Sequence, residues 1–182
     1  MDSNILSNPP LPAYRLRIRV WIIVWLLYFY SRWFVYDNYY SRLDNLNFLI
    51  HEAGHPLMSI FGDMAGVWWW SLFQRCIPLA FFVYFFVRRA NIAWQLCLFW
   101  VGQSLLYSSI YIADANKLVL PLWSDNGIHD WWYILGNAWL IQYADTIWTS
   151  VFVFASVVIF VALWAMARDA KNRAEFSIWL PQ

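Results

Sequence analysis

Charged residues are scarce in this chain of 182 residues. Aspartate, glutamate, lysine and arginine make up 13% of the sequence, whereas a soluble domain carries about 25%. The formal net charge is only +1, and the basic residues form no stripe of the kind that binds nucleic acid. The composition therefore argues against an ordinary soluble domain and against a nucleic-acid-binding protein.

Cysteine and histidine are also rare, with two and three residues respectively. Cys76 and Cys97 both fall in apolar segments, so we expect small buried residues rather than a disulfide or a metal-binding pair.

The first apolar run is long and aromatic, and no small-residue cleavage site follows it. We therefore expect no cleavable signal peptide.

Apolar residues are abundant: 62% of the chain is hydrophobic and 22% is aromatic. Several apolar runs approach or exceed the ~20 residues that cross a bilayer. The sequence therefore predicts an all-α polytopic membrane bundle, with the lipid bilayer as its surroundings. We expect a flexible N-terminal tail over 1–14, a single transmembrane domain over 15–168 and a C-terminal tail over 169–182.

The apolar segments fall into two groups by length. Four are long enough to span a bilayer, roughly Val20 to Tyr36, Gly66 to Val87, Ile92 to Ala113 and Thr146 to Met166. Two are shorter, Leu46 to Phe61 and Trp131 to Tyr143. If the two shorter segments are re-entrant or shallow, the chain spans the bilayer four times. If both cross the bilayer, it spans it six times.

Basic residues favour the four-span arrangement, because positive charge prefers the cytoplasmic side. With four spans, three basic groups share that side: Arg15 with Arg17 and Arg19, Arg88 with Arg89, and Arg168 with Lys171 and Arg173. Six spans would move Arg88 and Arg89 to the other side. We therefore expect both termini in the cytoplasm, with the bacterial inner membrane as the location, and keep six spans as the alternative.

The stretch His51-Glu52-Ala53-Gly54-His55 is an H-E-x-x-H motif inside an apolar segment. Residues i and i+4 share a helix face, so His51 and His55 can bind one metal ion together. Zn²⁺ is the expected ion, since it accepts imidazole and leaves a position open for water. Glu52 is then placed to act as general base on that water.

Two neighbouring features shape the predicted motif helix. Asp44 or Asn45 can cap its start. Pro56 directly follows His55, and it removes a backbone donor, so we expect a kink just past the second ligand.

A catalytic zinc usually takes three protein ligands, and the motif supplies two. His129, the remaining histidine, is the first candidate, with Asp130 beside it as an N-cap or supporting partner. Asp130, Asp114 and Asp145 are the carboxylate alternatives.

Several polar residues inside the apolar segments are candidates for the pocket. Gln103, Tyr107 and Tyr111 recur four residues apart and Asp114 follows, which predicts a polar stripe towards the bundle interior. Gln74 and Arg75 lie near the middle of another segment, where arginine needs a carboxylate partner, a polar cavity or access to the interface. Arg75, Gln103 or Tyr107 could stabilise an oxyanion.

At His51–His55 the chain resembles the site-2-protease-like membrane metallopeptidases, which carry H-E-x-x-H in an apolar helix and cut peptide bonds in or near the bilayer. The resemblance implies that His51 and His55 are ligands and Glu52 the base. Those enzymes usually take an aspartate from an Asn-Pro-Asp-Gly or Leu-Asp-Gly block, and neither block is present. The chain also resembles a group of small bacterial membrane proteins, which implies one site formed by His51–Pro56, Gly102-Gln103, Tyr111–Ala115 and His129–Trp131.

We therefore expect a membrane-embedded zinc metalloprotease that hydrolyses a membrane protein or peptide. One alternative is a zinc hydrolase that acts on a lipid or an amide. Another, from a different class, is a metal-binding, sensing or transport protein without enzymatic activity. Glu52 best separates the two hydrolase hypotheses from the non-enzymatic one, because only a hydrolase needs this residue as a base.

Overall fold

A computed structural model describes residues 13–35, 40–58, 63–120 and 129–178, without the side chains of 13–14, 55–71 and 173–178. Every regular element in these ranges is helical. The helices are α1 (Ala13–Val35), α2 (Arg42–Met58), α3 (Asp63–Val87), α4 (Asn91–Asp114), α5 (Asp130–Asn137) and α6 (Ala144–Ile178), with a short 3-10 helix at Ile141–Tyr143.

Three helical segments are long and apolar enough to cross a membrane: Arg15–Val35, Asn91–Asp114 and Ile141–Asn172. The part of α3 whose side chains are described, Leu72–Val87, is apolar as well. For the described residues, the prediction of an all-α chain with several helices long and apolar enough to span a bilayer is confirmed.

The helix ends differ from the predicted segments mainly at the two ends of the chain. Helix α1 already begins at Ala13, inside the predicted tail, while residues 1–12 lie outside the described part. Helix α6 continues to Ile178, well past the expected end at Met166. Charged residues such as Arg168 and Asp169 end the apolar run, but they are compatible with a continuing helix.

The chain divides into two compact units, Met1–Tyr39 with Val161–Gln182, and Tyr40–Phe160. Within the first unit, Arg19 of α1 forms a largely buried ion pair with Asp169 of α6. A partner of opposite charge offsets the cost of removing an arginine from water. Trp21 and Trp25 of α1 are 71% and 61% exposed, which suits a surface in contact with lipid.

The second unit contains the H-E-x-x-H motif and has its own apolar core. Ile112, Ala115, Leu135 and Ala144 are buried together, and Trp131, Ile141, Ile147, Trp148 and Val151 pack against them. These residues come from the end of α4, from α5 and from the start of α6. The core therefore fixes the short helix α5 between the two longer helices.

Helices α4 and α6 approach closely at Gly102. A Cβ atom built there would lie 2.6 Å from Cγ1 of Ile159 and 3.1 Å from the carbonyl oxygen of Ala155. Small residues allow this kind of close backbone approach between membrane helices. Gly102 thus sets the distance between α4 and the first part of α6.

Candidate metal centre

The start of the motif helix is fixed by a reciprocal pair of hydrogen bonds between Ser41 and Asp44. The Ser41 backbone N–H donates to Oδ2 of Asp44 at 2.6 Å, and the Asp44 N–H donates to Oγ of Ser41 at 3.2 Å. This is a capping box with Ser41 as N-cap. The expectation that Asp44 or Asn45 would be the cap was wrong, because helix α2 begins at Arg42.

Asp44 is fully buried. Burial raises the pKa of its carboxyl above the ordinary value, and hydrogen bonds from Ser41 and Gln103 act in the opposite direction. The donors that surround this carboxyl group thus offset part of the cost of burying it.

A buried polar network joins α2 to α4. Nε2 of Gln103 donates to Oδ1 of Asp44, and Nδ2 of Asn47 donates to Oε1 of Gln103 at 2.6 Å. Nε1 of Trp100 donates to Oδ1 of Asn47 at 2.9 Å. Gln103 therefore uses both ends of its amide to hold the motif helix, rather than facing a substrate pocket.

The first half of the motif is well placed on α2. Nε2 of His51 lies 3.0 Å from Oδ2 of Asp130, which stands at the start of α5. His55 follows on the same continuous helix, so its Cα shares a face with that of His51. The side chains of His55 and Pro56 lie outside the described residues, and α2 ends shortly after Pro56, at Met58.

His129 caps the N-terminus of α5. Its Nδ1 accepts a hydrogen bond from the backbone N–H of Trp132 at 3.2 Å, and α5 begins at Asp130. Of the two roles expected for Asp130, N-cap or supporting partner, that of N-cap was wrong by one residue. Oδ2 of Asp130 is buried and makes no hydrogen bond within the described residues, so its close neighbour is the imidazole of His51.

The other nitrogen of His129, Nε2, lies 3.3 Å from Oδ2 of Asp114 at the end of α4. Both side chains are nearly inaccessible, with exposed fractions of 4% and 7%. Asp114 also accepts hydrogen bonds from the backbone N–H groups of Val119 and Leu120, at 3.1 and 3.0 Å. The turn after α4 therefore holds this carboxylate in place.

Of the side chains that are described, His51 pairs with Asp130 and His129 with Asp114, and no three metal-binding side chains form one group. Two ligands of one tetrahedral zinc lie about 3.3 Å apart, given bonds of ~2.0–2.2 Å. The 3.0 Å between His51 and Asp130 is close to that value. The 3.3 Å between Nε2 of His129 and Oδ2 of Asp114 matches it too. Oδ2 of Asp130 and Nε2 of His129 are both buried and make no hydrogen bond within the described residues, which fits a ligand at either atom.

Tyrosines from the predicted polar stripe lie beside these pairs. The Tyr107 hydroxyl donates to the Tyr111 hydroxyl at 3.1 Å, and the Tyr111 and His129 rings are 6.2 Å apart. Glu52 and Asp114 are both close enough to act electrostatically on Tyr111. The stripe faces the protein interior as predicted, with Tyr107 only 4% exposed.

Two polar residues of α3 contact neighbouring helices. The guanidinium of Arg75 lies 5.4 Å from the centre of the Trp131 ring, so an aromatic face is one of its contacts. Nε2 of Gln74 donates to Oγ of Ser104 at 3.3 Å. Both residues thus bind α3 to its neighbours α5 and α4.

The remaining candidates lie elsewhere. Asp145 is exposed in the first turn of α6, where it accepts a hydrogen bond from Nε1 of Trp148 at 3.3 Å. Both cysteines are free, but Cys76 is exposed and Cys97 only partly buried. The expectation that both would be buried was wrong, since Cys76 lies on the outer face of α3.

Ser41 and Asn47 were not among the predicted residues, although Ser41 carried a signal. The spacing Ser41-Arg42-Leu43-Asp44 resembles the S-x-x-E capping box with aspartate in the last position. Asn47 carried no comparable signal, because its partners are residues of α4. No family model, curated protein or solved structure matches this chain.

Proposed function

We propose that this protein is a membrane-embedded zinc hydrolase that cleaves peptide bonds in or near the bilayer. His51, His55 and Asp130 would hold the zinc. The observation that supports this most is the 3.0 Å contact between His51 and Asp130, because it brings a carboxylate from α5 to the H-E-x-x-H helix. Two imidazoles and a carboxylate are a common ligand set of catalytic zinc.

A zinc ion held by these residues would supply Lewis-acid chemistry, acidifying a water and polarising the scissile carbonyl. Glu52 follows His51 on α2 and is partly exposed, so it can accept a proton from the attacking water and pass it to the leaving amine. Tyr111 lies within the electrostatic reach of Glu52. Its hydroxyl, which accepts a hydrogen bond from Tyr107, is a candidate donor towards the carbonyl oxygen.

The preference for a peptide bond comes from the resemblance of His51–His55 to the site-2-protease-like enzymes and from the membrane setting. The apolar outer surfaces of the helices suit a substrate that also lies in the membrane. A lipid or amide hydrolase would use the same zinc and the same base, so the choice between them depends on the substrate.

We further propose four full spans, α1, α3, α4 and α6. Helix α5 has eight residues and is about 12 Å long, too short for a hydrocarbon core of ~30 Å. If α2 also stays on one side, the basic groups at Arg15–Arg19, Arg88-Arg89 and Arg168–Arg173 all face the cytoplasm. If α2 crosses, the latter two move outside, which the charge rule disfavours.

The substitution Glu52→Gln tests the mechanism directly. We expect the purified variant in lipid nanodiscs to retain one zinc while cleavage of quenched transmembrane peptides falls by about 10²–10⁴-fold. The matched control is Asp145→Asn, which removes an exposed carboxylate on α6 and should leave both properties unchanged. Full turnover by Glu52→Gln, or wild-type protein without zinc, would overturn the proposal.

A further inference from the structure

Helix α4 is long enough to reach both faces of a membrane. It has 24 residues and is about 36 Å long, slightly more than a hydrocarbon core of ~30 Å. Exposed charged residues lie beyond both of its ends, Arg88 and Arg89 before the first turn and Lys117 after the last residue, Asp114. Such side chains lie at the surface of a bilayer. The end of α4 at Asp114 is therefore close to one face of the membrane.

The short helix α5 lies across this end of α4. At the start of α5, Nε2 of His129 lies 3.3 Å from Oδ2 of Asp114. Beyond its end, Nδ2 of Asn116 donates to the carbonyl oxygen of Ile141 at 3.2 Å. Both ends of α5 are thus attached to neighbouring positions at the end of α4. The helix therefore runs along the membrane face and does not enter the bilayer.

The residues of the proposed zinc site are held at the same level. Asp130 is the first residue of α5, and its Oδ2 lies 3.0 Å from Nε2 of His51. Tyr111 lies in the last turn of α4, within the electrostatic reach of Glu52. The site is therefore close to the end of α4, and not to Gly102 at the middle of that helix.

Two turns at this level carry bulky apolar residues where glycine is usual. Leu118 follows α4 and Trp139 follows α5, both with a left-handed backbone, at φ 54° and 58°. Their N–H groups donate to the carbonyl oxygens of Asp114 and Gly136 and so close the two helix ends. A side chain makes this conformation unfavourable. Trp139 is nonetheless 84% exposed, and tryptophan prefers the boundary between lipid and water.

We propose that the edge formed by Leu118 and Trp139 lies at this boundary, and that the protein cleaves peptide segments where they leave the bilayer. The substrate class is then a membrane protein or anchored peptide whose chain is accessible at the end of its transmembrane segment. A bond in the middle of such a segment would lie at the level of Gly102, about 18 Å along α4 from Asp114. This inference rests on the zinc hydrolase proposed above and adds the depth at which it cuts.

Nitroxide labels measure the depth of the edge without an assay of activity. Single labelled cysteines replace Val119 or Trp139, which are both exposed, in a background that carries Cys76→Ser and Cys97→Ser. Collision rates with oxygen and with a water-soluble nickel chelate in lipid nanodiscs give the depth of each label. We expect both labels to lie about 15 Å from the midplane, at the limit of the hydrocarbon core.

The control position is Val157, which is exposed on α6. It lies between Ala155 and Ile159, and these two residues meet the middle of α4 at Gly102. A label at Val157 should therefore lie near the midplane. Labels at Val119 and Trp139 that are as deep as the Val157 label, or that sense no lipid, would overturn the proposed location.

A pair of quenched transmembrane peptides tests the substrate class. They differ only in the position of one extended segment, which lies at the end of the apolar stretch in the first peptide and at its middle in the second. We expect the wild-type protein in nanodiscs to cleave the first and to leave the second intact. In detergent solution, where the depth is not fixed, both should be cleaved, and Glu52→Gln should cleave neither.

The two proposals fail in different ways. Equal or preferred cleavage of the second peptide in nanodiscs would overturn this inference and leave the zinc hydrolase intact. If the zinc-loaded wild-type protein cleaves neither peptide, in nanodiscs or in detergent, the proposed function and the substrate class are both wrong. The depths of the labels would still decide where the edge lies.

Discussion

Nε2 of His51 lies 3.0 Å from Oδ2 of Asp130, although the two residues belong to different helices and are far apart in the sequence. The exposed fractions of their side chains are 20% and 9%. A histidine and a carboxylate are costly in an apolar setting unless each has a partner. The contact therefore links α2 and α5 at the point where the sequence has its strongest motif.

The substitution Asp130→Asn should reduce zinc affinity by at least about 100-fold, because a neutral amide is a much poorer zinc ligand than a carboxylate and even supporting residues contribute 10–100-fold. The shape of the side chain is conserved, so the fold should be retained. Titration against a competing chelator measures the affinity.

The control for this prediction is Asp145→Asn, the same change in the first turn of α6, where the carboxylate is exposed and paired with Trp148. It should leave zinc affinity unchanged. An equal loss in both variants, or no loss in Asp130→Asn, would show that Asp130 is not a ligand.

Gln103→Leu should destabilise the protein, because Gln103 satisfies Asp44 and Asn47 in the buried network between α2 and α4. Each buried polar group left without a partner costs about 1–3 kcal/mol. We expect a clearly lower thermal unfolding midpoint in detergent.

The matched control is Gln142→Leu, since the Gln142 side chain is exposed and donates to the carbonyl oxygen of Trp139. Its unfolding midpoint should stay close to that of the wild type. Comparable midpoints for the two variants would mean that the network contributes little to stability.

The helices themselves could be predicted from the sequence, because apolar length is a local property. The predicted segments Gly66–Val87 and Ile92–Ala113 agree closely with α3 and α4. The end of α6 could not be predicted in this way, since its last turns are polar and still helical. Hydrophobicity indicates where a helix can lie in a bilayer and not where its hydrogen bonds stop.

The partners of the polar residues could be predicted only in part. The sequence identified His51, His129, Asp130 and Asp114 as residues of one site, but it could not pair them. His129 was the first candidate for the third ligand; in the structure its Nδ1 caps the start of α5 and its Nε2 lies 3.3 Å from Oδ2 of Asp114. Such pairings depend on how α4 and α5 pack, which no local pattern encodes.

Ser41→Ala should destabilise the start of the motif helix. The substitution removes the hydroxyl that accepts the Asp44 N–H at 3.2 Å and that lies 2.5 Å from Oδ2 of Asp44. Loss of a serine N-cap costs about 0.5–2 kcal/mol, so the thermal midpoint should fall measurably.

The control variant for the cap is Ser150→Ala, which removes an exposed hydroxyl that donates to the Thr146 carbonyl oxygen inside α6. Ser41→Asp should preserve capping, although it places a second carboxylate beside Asp44, so Ser41→Asn is the better rescue. A wild-type midpoint for Ser41→Ala would contradict the assignment of Ser41 as N-cap.

Gly102→Ala should destabilise the packing of α4 on α6, because its Cβ would lie 2.6 Å from Cγ1 of Ile159. Overpacking of this kind typically costs about 1–3 kcal/mol. The double variant Gly102→Ala with Ile159→Ala should recover part of the thermal midpoint relative to Ile159→Ala alone, and not all of it. The backbone oxygen of Ala155 would remain 3.1 Å from the new methyl group.

The control is Gly136→Ala, since no atom lies within 4 Å of a Cβ there. Equal losses of the thermal midpoint in the Gly102 and Gly136 variants would rule out a steric cause.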